Sequence, residues 1–298
     1  MLHQQKGFKI IGHRGYGPTP AALKTPENLA TLLPENSLAA FTYALDHGAD
    51  GIECDVFLSG DGVPMVIHDD EIDQHAAPAV AAPLAGQLVS RMTAAAVSAI
   101  DIGGGHTVPR LEDLFTLVFG YTDRRVIINL DIKDTTCVTA VCALMQKHAA
   151  ALAAHDVIVS SFNWDILRDF RSRDAHIMLV PAIKSKILFG EENIGPCYVP
   201  LVDHYQSAAR DILEALHSEI RISAYDTTTT DFKPALGDWA AAAGLGLQIS
   251  TANSRVSAES SDYTTLRTSN PSPTAAPCPT SSSKSTSPIR CARRWVKA

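Results

Sequence analysis

Basic residues are the scarcer charge in this chain of 298 residues. Lysine and arginine total 25 against 32 aspartates and glutamates, which gives a formal net charge of -7 at pH 7. Non-specific nucleic-acid binding depends on lysines and arginines that neutralise phosphates, so the composition argues against nucleic acid as a partner. A small anionic substrate would need local positive charge or a metal ion at its binding site.

Paired cysteines and long apolar runs are also missing. The six cysteines include no C-x-x-C pair, which argues against a zinc site and a dense disulfide framework and favours reduced thiols. No apolar run reaches the roughly 18 residues that a membrane-spanning helix needs, and the first residues lack an apolar signal core. We therefore predict a cytoplasmic protein without a membrane span, and the sequence leaves its oligomeric state open.

The composition, with 46% hydrophobic and 19% charged residues, is that of a globular domain, and the length suits one α/β barrel. Short β-type runs alternate with helical stretches, which indicates parallel strands joined by helices. The eight candidate strands, which favour a closed TIM-type (β/α)8 barrel, are 8–12, 51–57, 64–68, 126–132, 157–162, 177–183, 220–225 and 245–250. The candidate helices are 37–47, 111–119, 136–154, 164–173 and 232–243. Segments 16–34 and 71–108 interrupt this rhythm and are expected to shape a pocket.

The C-terminal segment, residues 250–298, differs from the rest. Between residues 250 and 287 about half of the residues are serine or threonine, with several prolines and almost no apolar period. Such a composition buries too little apolar surface to offset its ordering entropy, so we expect a largely disordered tail after a barrel domain of residues 1–249. The abrupt change after about Gly246 also fits a reading-frame change near the end of the gene, which would leave the barrel incomplete.

A histidine and an arginine, His13 and Arg14, directly follow the first strand and precede Gly15. Histidine suits acid/base chemistry, arginine suits phosphate binding, and glycine permits a sharp turn. Taken alone, the tripeptide fits a capped loop with a surface arginine better. A second histidine, His68, ends the apolar run of the third strand, and a lone histidine there is more often structural.

Carboxylates also occur at strand ends. Glu53 and Asp55 are two positions apart on the second strand and therefore point to one face, where a hard divalent cation would relieve their repulsion. Two solvated acids would explain this pair equally well. Asp131 and Lys133 share a face of the fourth strand, and supply a third carboxylate and a cation for a phosphoryl oxygen. The whole set, in order and at the ends of apolar runs, indicates a phosphodiester-cleaving site.

These stretches resemble the glycerophosphodiester phosphodiesterase family, which is similar in fold to phosphatidylinositol-type phospholipases C. The matching segments, within residues 8–253, are Gly12-His13-Arg14-Gly15, Pro34-Glu35-Asn36-Ser37, Gly48 to Val56, Asp61-Gly62-Val63-Pro64 with His68-Asp69, Val108 to Glu112, Leu130-Asp131-Ile132-Lys133 and Ser160-Ser161-Phe162. The site residues that the resemblance implies are His13 and His68 as the acid/base pair, Glu53, Asp55 and Asp131 as ligands of Mg²⁺ or Ca²⁺, Arg14 and Lys133 as phosphate-binding cations, and Glu35 as a brace for Arg14. The implied reaction is metal-dependent hydrolysis of a glycerophosphodiester to glycerol 3-phosphate and an alcohol.

The sequence departs from the family pattern at three places. Asp131 stands where the family usually has glutamate, the late Trp-Thr-Val-Asn segment is matched at best by residues 250–253, and the closing Gly-Val-Asp strand has no counterpart. Two alternatives follow. One is a phospholipase D of the sphingomyelinase type, in which an aspartate ligand would be natural. The other is a catalytically dead barrel that binds metal or phosphate.

Overall fold

The computed structural model describes residues 8–17, 33–185, 198–199, 205–228, 234–250 and 292–297. Its strands are β1 (Phe8–His13), β2 (Gly51–Leu58), β3 (Pro64–Val66), β4 (Asp101–Gly103), β5 (His106–Thr107), β6 (Ile127–Ile132), β7 (Asp156–Ser161), β8 (Met178–Pro181), β9 (Lys184–Ser185), β10 (Tyr198–Val199), β11 (Ala224–Thr228), β12 (Gly246–Ser250) and β13 (Ala292–Lys297). Its α-helices are α1 (Leu38–Asp46), α2 (Pro78–Ala81), α3 (Ala94–Ser98), α4 (Leu111–Phe119), α5 (Cys137–Lys147), α6 (Ala149–Leu152), α7 (Trp164–Arg173), α8 (Tyr205–Ile220) and α9 (Pro234–Ala242).

Nine of the described strands form one curled sheet, in which eight follow the order β11-β12-β13-β1-β2-β6-β7-β8 and β3 pairs with β2 beside them. The two ends of this sheet meet, because Ala182, which directly follows β8, forms a parallel bridge with Asp226 of β11. Beside this bridge, the Ser223 amide donates to the Leu179 carbonyl at 2.8 Å. The structure confirms the predicted α/β barrel.

The C-terminal end of the barrel is atypical. Strand β13 lies between β1 and β12 and runs antiparallel to both, whereas all eight strands of a regular (β/α)8 barrel are parallel. The barrel is thus incomplete as a parallel ring, and residues 292–297 of the C-terminal segment occupy the eighth position. Residues 251–291, which include most of the expected disordered tail, lie outside the described residues.

Several predicted element boundaries are corrected. The third predicted strand, 64–68, shortens to β3, which pairs antiparallel with β2 and lies outside the ring. Predicted helix 136–154 divides into α5 and α6, and predicted strand 220–225 begins only at Ala224 because α8, which the sequence did not indicate, extends to Ile220. The predicted helices at 111–119 and 164–173 are confirmed as α4 and α7.

Alternation along the strands separates two apolar layers. On β2, Ile52, Cys54 and Val56 pack in the main core against the helices, because successive strand residues point to opposite faces. A smaller cluster fills the base of the barrel with residues from five strands, which are Ile11, Ile127, Ile158, Val180 and Ala224. Polar side chains continue this inward-facing set towards the carboxyl ends of the strands, at the mouth of the barrel.

The segment 71–108 forms a compact excursion beside β2 and β3. It contains α2, α3, the β4–β5 hairpin and three 3-10 turns, at Ile72–Gln74, Ala82–Leu84 and Val89–Arg91. Its own apolar cluster includes Ile72, Val89 and Val97, all fully buried. The expected loop at 16–34 is described only at its two ends, since residues 18–32 lie outside the described part. Among the described helices, none has the length and apolar character needed to cross a bilayer.

Candidate active site

The register between neighbouring strands brings the predicted site residues together. His13 of β1 is paired with Glu53 of β2, and Asp55 of β2 is paired with Asp131 of β6. Because the three strands are parallel, their carboxyl ends lie at one mouth of the barrel, where such barrels carry their functional groups. Glu53 and Asp55, two positions apart on β2, therefore lie in a cluster of side chains that comes from β1, β2 and β6.

The three carboxylates of Glu53, Asp55 and Asp131 are buried, and oxygen atoms from all three lie within 4.8 Å of one another. Calcium and magnesium bind oxygen ligands at about 2.0–2.6 Å, so two oxygens on opposite sides of one ion lie about 4–5 Å apart. The donor set and its spacing therefore fit a divalent cation. Buried carboxylates at this distance repel one another strongly unless positive charge lies among them.

Lys133 supplies part of that positive charge. Its Nζ lies 2.8 Å from Oδ1 of Asp55 and 2.9 Å from Oδ2 of Asp131. Burial lowers the pKa of Lys133, but the carboxylates of Asp131 and Asp55 outweigh this effect and raise the pKa above its ordinary value. Burial likewise raises the pKa of the Asp55 carboxyl, whereas Lys133 and Arg14 hold it well below its usual range. Both groups are therefore charged at neutral pH.

Arg14 joins the carboxylate cluster to Glu35. Its Nε lies 3.2 Å from Oδ2 of Asp55, and its Nη1 donates to Oε1 of Glu35 at 3.0 Å. Its backbone amide also donates to Oε2 of Glu53 at 2.9 Å. The sharp turn that allows these contacts gives Arg14 a φ of 51° and Gly15 a φ of 80°. Glu35 therefore contacts Arg14 directly, which is the geometry that the predicted brace requires.

The turn from Pro34 to Ser37 also places a residue that sequence reasoning left without a role. The side chain of Asn36 donates through Nδ2 to Oδ2 of Asp55 at 2.8 Å, and its backbone N–H donates to the Arg14 carbonyl at 3.0 Å. Ser37 then begins α1 as its N-cap, because its side-chain oxygen accepts from the Ala40 amide at 3.1 Å. Asn36 belongs to a recognised motif, which was the available signal for its importance.

The two predicted histidines lie beside this cluster. Nε2 of His13 is 3.8 Å from Oε2 of Glu53. His68 follows β3 in a loop, and it lies close enough to Asp55 to contribute to the lowered pKa of that carboxyl. The side chain of His68 is 30% exposed and that of His13 is 12% exposed, so His68 is the more accessible of the two rings.

Two more residues extend the site beyond the sequence-based prediction. Nδ1 of His68 lies 2.9 Å from Oδ1 of Asp69, and Oδ2 of the same carboxylate lies 2.9 Å from Nε2 of His75. Asp69 lies in a matched motif that implies no role for it, and nothing in the sequence near His75 indicates a role. The fold of the 71–108 excursion is what brings His75 to this position.

All eight predicted site residues thus meet at one mouth of an α/β barrel, as carboxylates, histidines and cations suited to a phosphate ester. A model of the glycerophosphoryl diester phosphodiesterase family matches residues 13–187, and the chain belongs to this family. A glycerophosphodiester phosphodiesterase from Caldanaerobacter subterraneus is 31% identical over 159 residues, which is 49% of this chain. The matched stretch covers 60% of the length of that relative.

Solved structures show the same fold. A candidate glycerophosphodiester phosphodiesterase from Galdieria sulphuraria superposes with a TM-score of 0.61 at 18% identity, covering 83% of this chain and 85% of that chain. A phosphodiesterase from Oleispira antarctica, solved in complex with the product sn-glycerol-3-phosphate, superposes with a TM-score of 0.58 at 20% identity. That match covers 80% of this chain and 82% of the other. At these identities the likeness concerns the fold.

Proposed function

We propose that the protein hydrolyses glycerophosphodiesters to glycerol 3-phosphate and an alcohol, and that a divalent cation, Mg²⁺ or Ca²⁺, is required. The observation that carries the proposal is the buried cluster of three carboxylates at the barrel mouth, flanked by two histidines, in a chain that belongs to this family. Glu53, Asp55 and Asp131 would hold the cation. When bound, such an ion stabilises the charge that develops on phosphoryl oxygens.

The side chains of this chain supply the remaining chemistry in the proposal. Arg14 and Lys133 bind the non-bridging oxygens of the diester, since both lie at the carboxylate cluster with their charged ends towards it. Each also contacts Asp55, so substrate oxygens would share these cations with that carboxylate.

Proton transfer is assigned to His13 and His68. One histidine accepts the proton of the attacking water, or of a neighbouring substrate hydroxyl, while the new oxygen–phosphorus bond forms. The other donates a proton to the alcohol oxygen as its bond to phosphorus breaks. Where a substrate hydroxyl attacks, the product is a cyclic phosphodiester, and water then opens its ring, with the two histidines in exchanged roles, to give glycerol 3-phosphate. General acid/base catalysis of this kind is typically worth about 10² to 10⁴ in rate.

The experiment is a metal-titrated assay of the chelated full-length protein on glycerophosphocholine, glycerophosphoethanolamine, sphingomyelin and lysophospholipid. We expect turnover of the glycerophosphodiesters that disappears with chelation and returns with Mg²⁺ or Ca²⁺. His13→Ala and His68→Ala should abolish turnover while leaving cation binding mostly intact. His176→Ala is the matched control because that ring is exposed on the surface.

Several outcomes would reject parts of the proposal. Preference for sphingomyelin or lysophospholipid would replace the substrate assignment, and turnover without a cation would reject the metal requirement. Cation binding with no hydrolysis of any diester would indicate a catalytically dead barrel. Retained activity in His13→Ala or His68→Ala would reject that residue's role.

A further inference from the structure

A chain of side-chain contacts runs from Arg14 to His68 through three intermediate groups. Oε1 of Glu35, which accepts from Arg14, also lies 3.5 Å from Nδ1 of His75. The other ring nitrogen of His75, Nε2, lies 2.9 Å from Oδ2 of Asp69, whose Oδ1 lies 2.9 Å from Nδ1 of His68. The phosphate-binding arginine and one of the two acid/base histidines are thus connected through His75.

The two oxygens of Asp69 are occupied by two different histidines. An ionised carboxylate only accepts hydrogen bonds, so each facing nitrogen must carry the proton. Burial raises the pKa of Asp69, but the hydrogen bonds from His68 and His75 outweigh it and place the pKa well below its ordinary value. A neutral His68 that donates through Nδ1 keeps Nε2 as an acceptor, which is the form a general base requires.

The position of His75 separates it from the groups that could meet substrate. Its side chain is 10% exposed, compared with 30% for His68 and 38% for Asp69. The 3-10 turn Ile72–Gln74 holds it, since the His75 amide donates to the Ile72 carbonyl at 3.1 Å and Ile72 is fully buried in the core of the excursion. His75 is therefore an anchored group behind an accessible Asp69–His68 pair.

We propose that His75 is a positioning residue, which fixes the Asp69 carboxylate by donating to Oδ2 and thereby holds His68 in the orientation and tautomer needed for proton transfer. This inference rests on the proposed function for the catalytic role of His68. Nδ1 of the same ring also lies 3.5 Å from Oε1 of Glu35, which places the ring beside the carboxylate that accepts from Arg14. Without His75 the contact between Asp69 and His68 would remain, but the carboxylate would be held less firmly, because more than a third of its side chain is exposed.

Three substitutions at position 75 separate positioning from simple packing. Glutamine places its Nε2 donor where the Nε2 of histidine stood, whereas asparagine places its nitrogen nearer the Nδ1 position and cannot reach Asp69 as well. We expect His75→Ala and His75→Asn to lower kcat by about 10- to 100-fold, with KM changed much less, in line with other partners that orient functional histidines. His75→Gln should recover most of kcat, and His176→Ala should match the unsubstituted protein.

A readout independent of activity is the tautomer of His68, measured from imidazole ¹⁵N shifts and assigned by the loss of signals in His68→Ala. At a pH high enough to give the neutral imidazole, the unsubstituted protein and His75→Gln should carry the His68 proton on Nδ1, and His75→Ala should show a mixture of tautomers. If alanine disrupts folding, the contrast between the glutamine and asparagine variants still decides. Equal kcat and an equal His68 tautomer in these two variants would overturn the proposal. If the unsubstituted protein lacks turnover, the proposed function fails, and the tautomer measurement alone decides the positioning role.

Discussion

Lys133→Met is expected to destabilise the protein strongly, because it removes the cation that lies between two buried carboxylates. The Lys133 Nζ contacts Asp55 and Asp131 at 2.8 and 2.9 Å, and the lysine side chain is only 15% exposed. Methionine keeps a similar length and apolar stem, so packing changes little. What changes is the electrostatic balance, since Asp55 and Asp131 then lose a shared partner.

The size of the effect follows from burial. Removing one partner of a buried ion pair typically costs about 3–5 kcal/mol, because an uncompensated buried charge remains. For a chain of this size, a loss of 1 kcal/mol in the free energy of unfolding lowers Tm, the midpoint of thermal unfolding, by about 2–4 °C. The expected fall in Tm is therefore about 6–20 °C. Lys147 provides the matched control: its Nζ lies 2.8 Å from Glu112, but that lysine side chain is 62% exposed. Lys147→Met should cost only about 0–1 kcal/mol.

The assays are thermal and denaturant unfolding of both variants and the unsubstituted protein, with chelator and with one fixed, saturating concentration of Mg²⁺ or Ca²⁺. A cation at 100 times its Kd stabilises the folded state by about 2.7 kcal/mol. At the same cation concentration the gain should be larger in Lys133→Met, because its more negative cluster binds the cation more tightly. A loss in Lys133→Met no greater than that in Lys147→Met would refute the reasoning. So would an equal cation-dependent gain in the variant and the unsubstituted protein.

Three further predictions concern the frame of the site. Gly15→Ala should lower the free energy of unfolding by about 1–3 kcal/mol, since an added Cβ would lie 2.6 Å from the Ala40 carbonyl carbon. Asn36→Ala should be about 1–2 kcal/mol less stable than Asn36→Gly, because the φ of 59° suits glycine while both variants lose the hydrogen bond to Asp55. Burial and a nearby arginine lower the pKa of His155, so the unfolded state, with a pKa of about 6.5, binds more protons. Stability should therefore fall as pH drops from about 7 towards the folded pKa, and His155→Gln should reduce this fall.

Denaturant unfolding measures the free energy of unfolding for each of these three predictions, and one result would contradict each of them. Gly48→Ala is the control for the glycine, because Gly48 has a φ of 93° but no atom within 4 Å of an added Cβ. Equal losses in the two alanine variants would show that steric overlap at Gly15 is unimportant. Equal stability of the two Asn36 variants would contradict the strain argument. An unchanged pH dependence in His155→Gln would remove that ring from the explanation.

Local patterns in the sequence were sufficient for the parts of the site that depend on alternation and on strand ends. The period of two placed Glu53 and Asp55 on one face, and Asp131 and Lys133 on one face, and the structure places all four at the barrel mouth. Helices α4 and α7 were also predicted within their observed bounds, because their apolar residues recur every three to four positions. In each case the information lies within about ten neighbouring residues.

Elements that depend on distant partners were harder to predict. The apolar run that ends in His68 predicts a barrel strand, but β3 pairs antiparallel with β2. The turn between β2 and β3 is too short for the crossover that a parallel pair needs. Helix α8 was missed although it is one of the longer described helices. Antiparallel β13 had no local signal as a ring strand, because its place is defined by the free edges of β1 and β12.

The sequence by itself determined the chemistry of this protein: which side chains carry charge or protons, and which face of each strand they occupy, since both follow from residue type and local period. Only the tertiary structure decided how these groups are connected. Register between β1, β2 and β6 set the pairing of His13 with Glu53 and of Asp55 with Asp131. The separate core of the 71–108 excursion placed His75 between Glu35 and Asp69. Contacts of that kind join residues far apart in the chain, and packing free energy summed over the whole fold selects them.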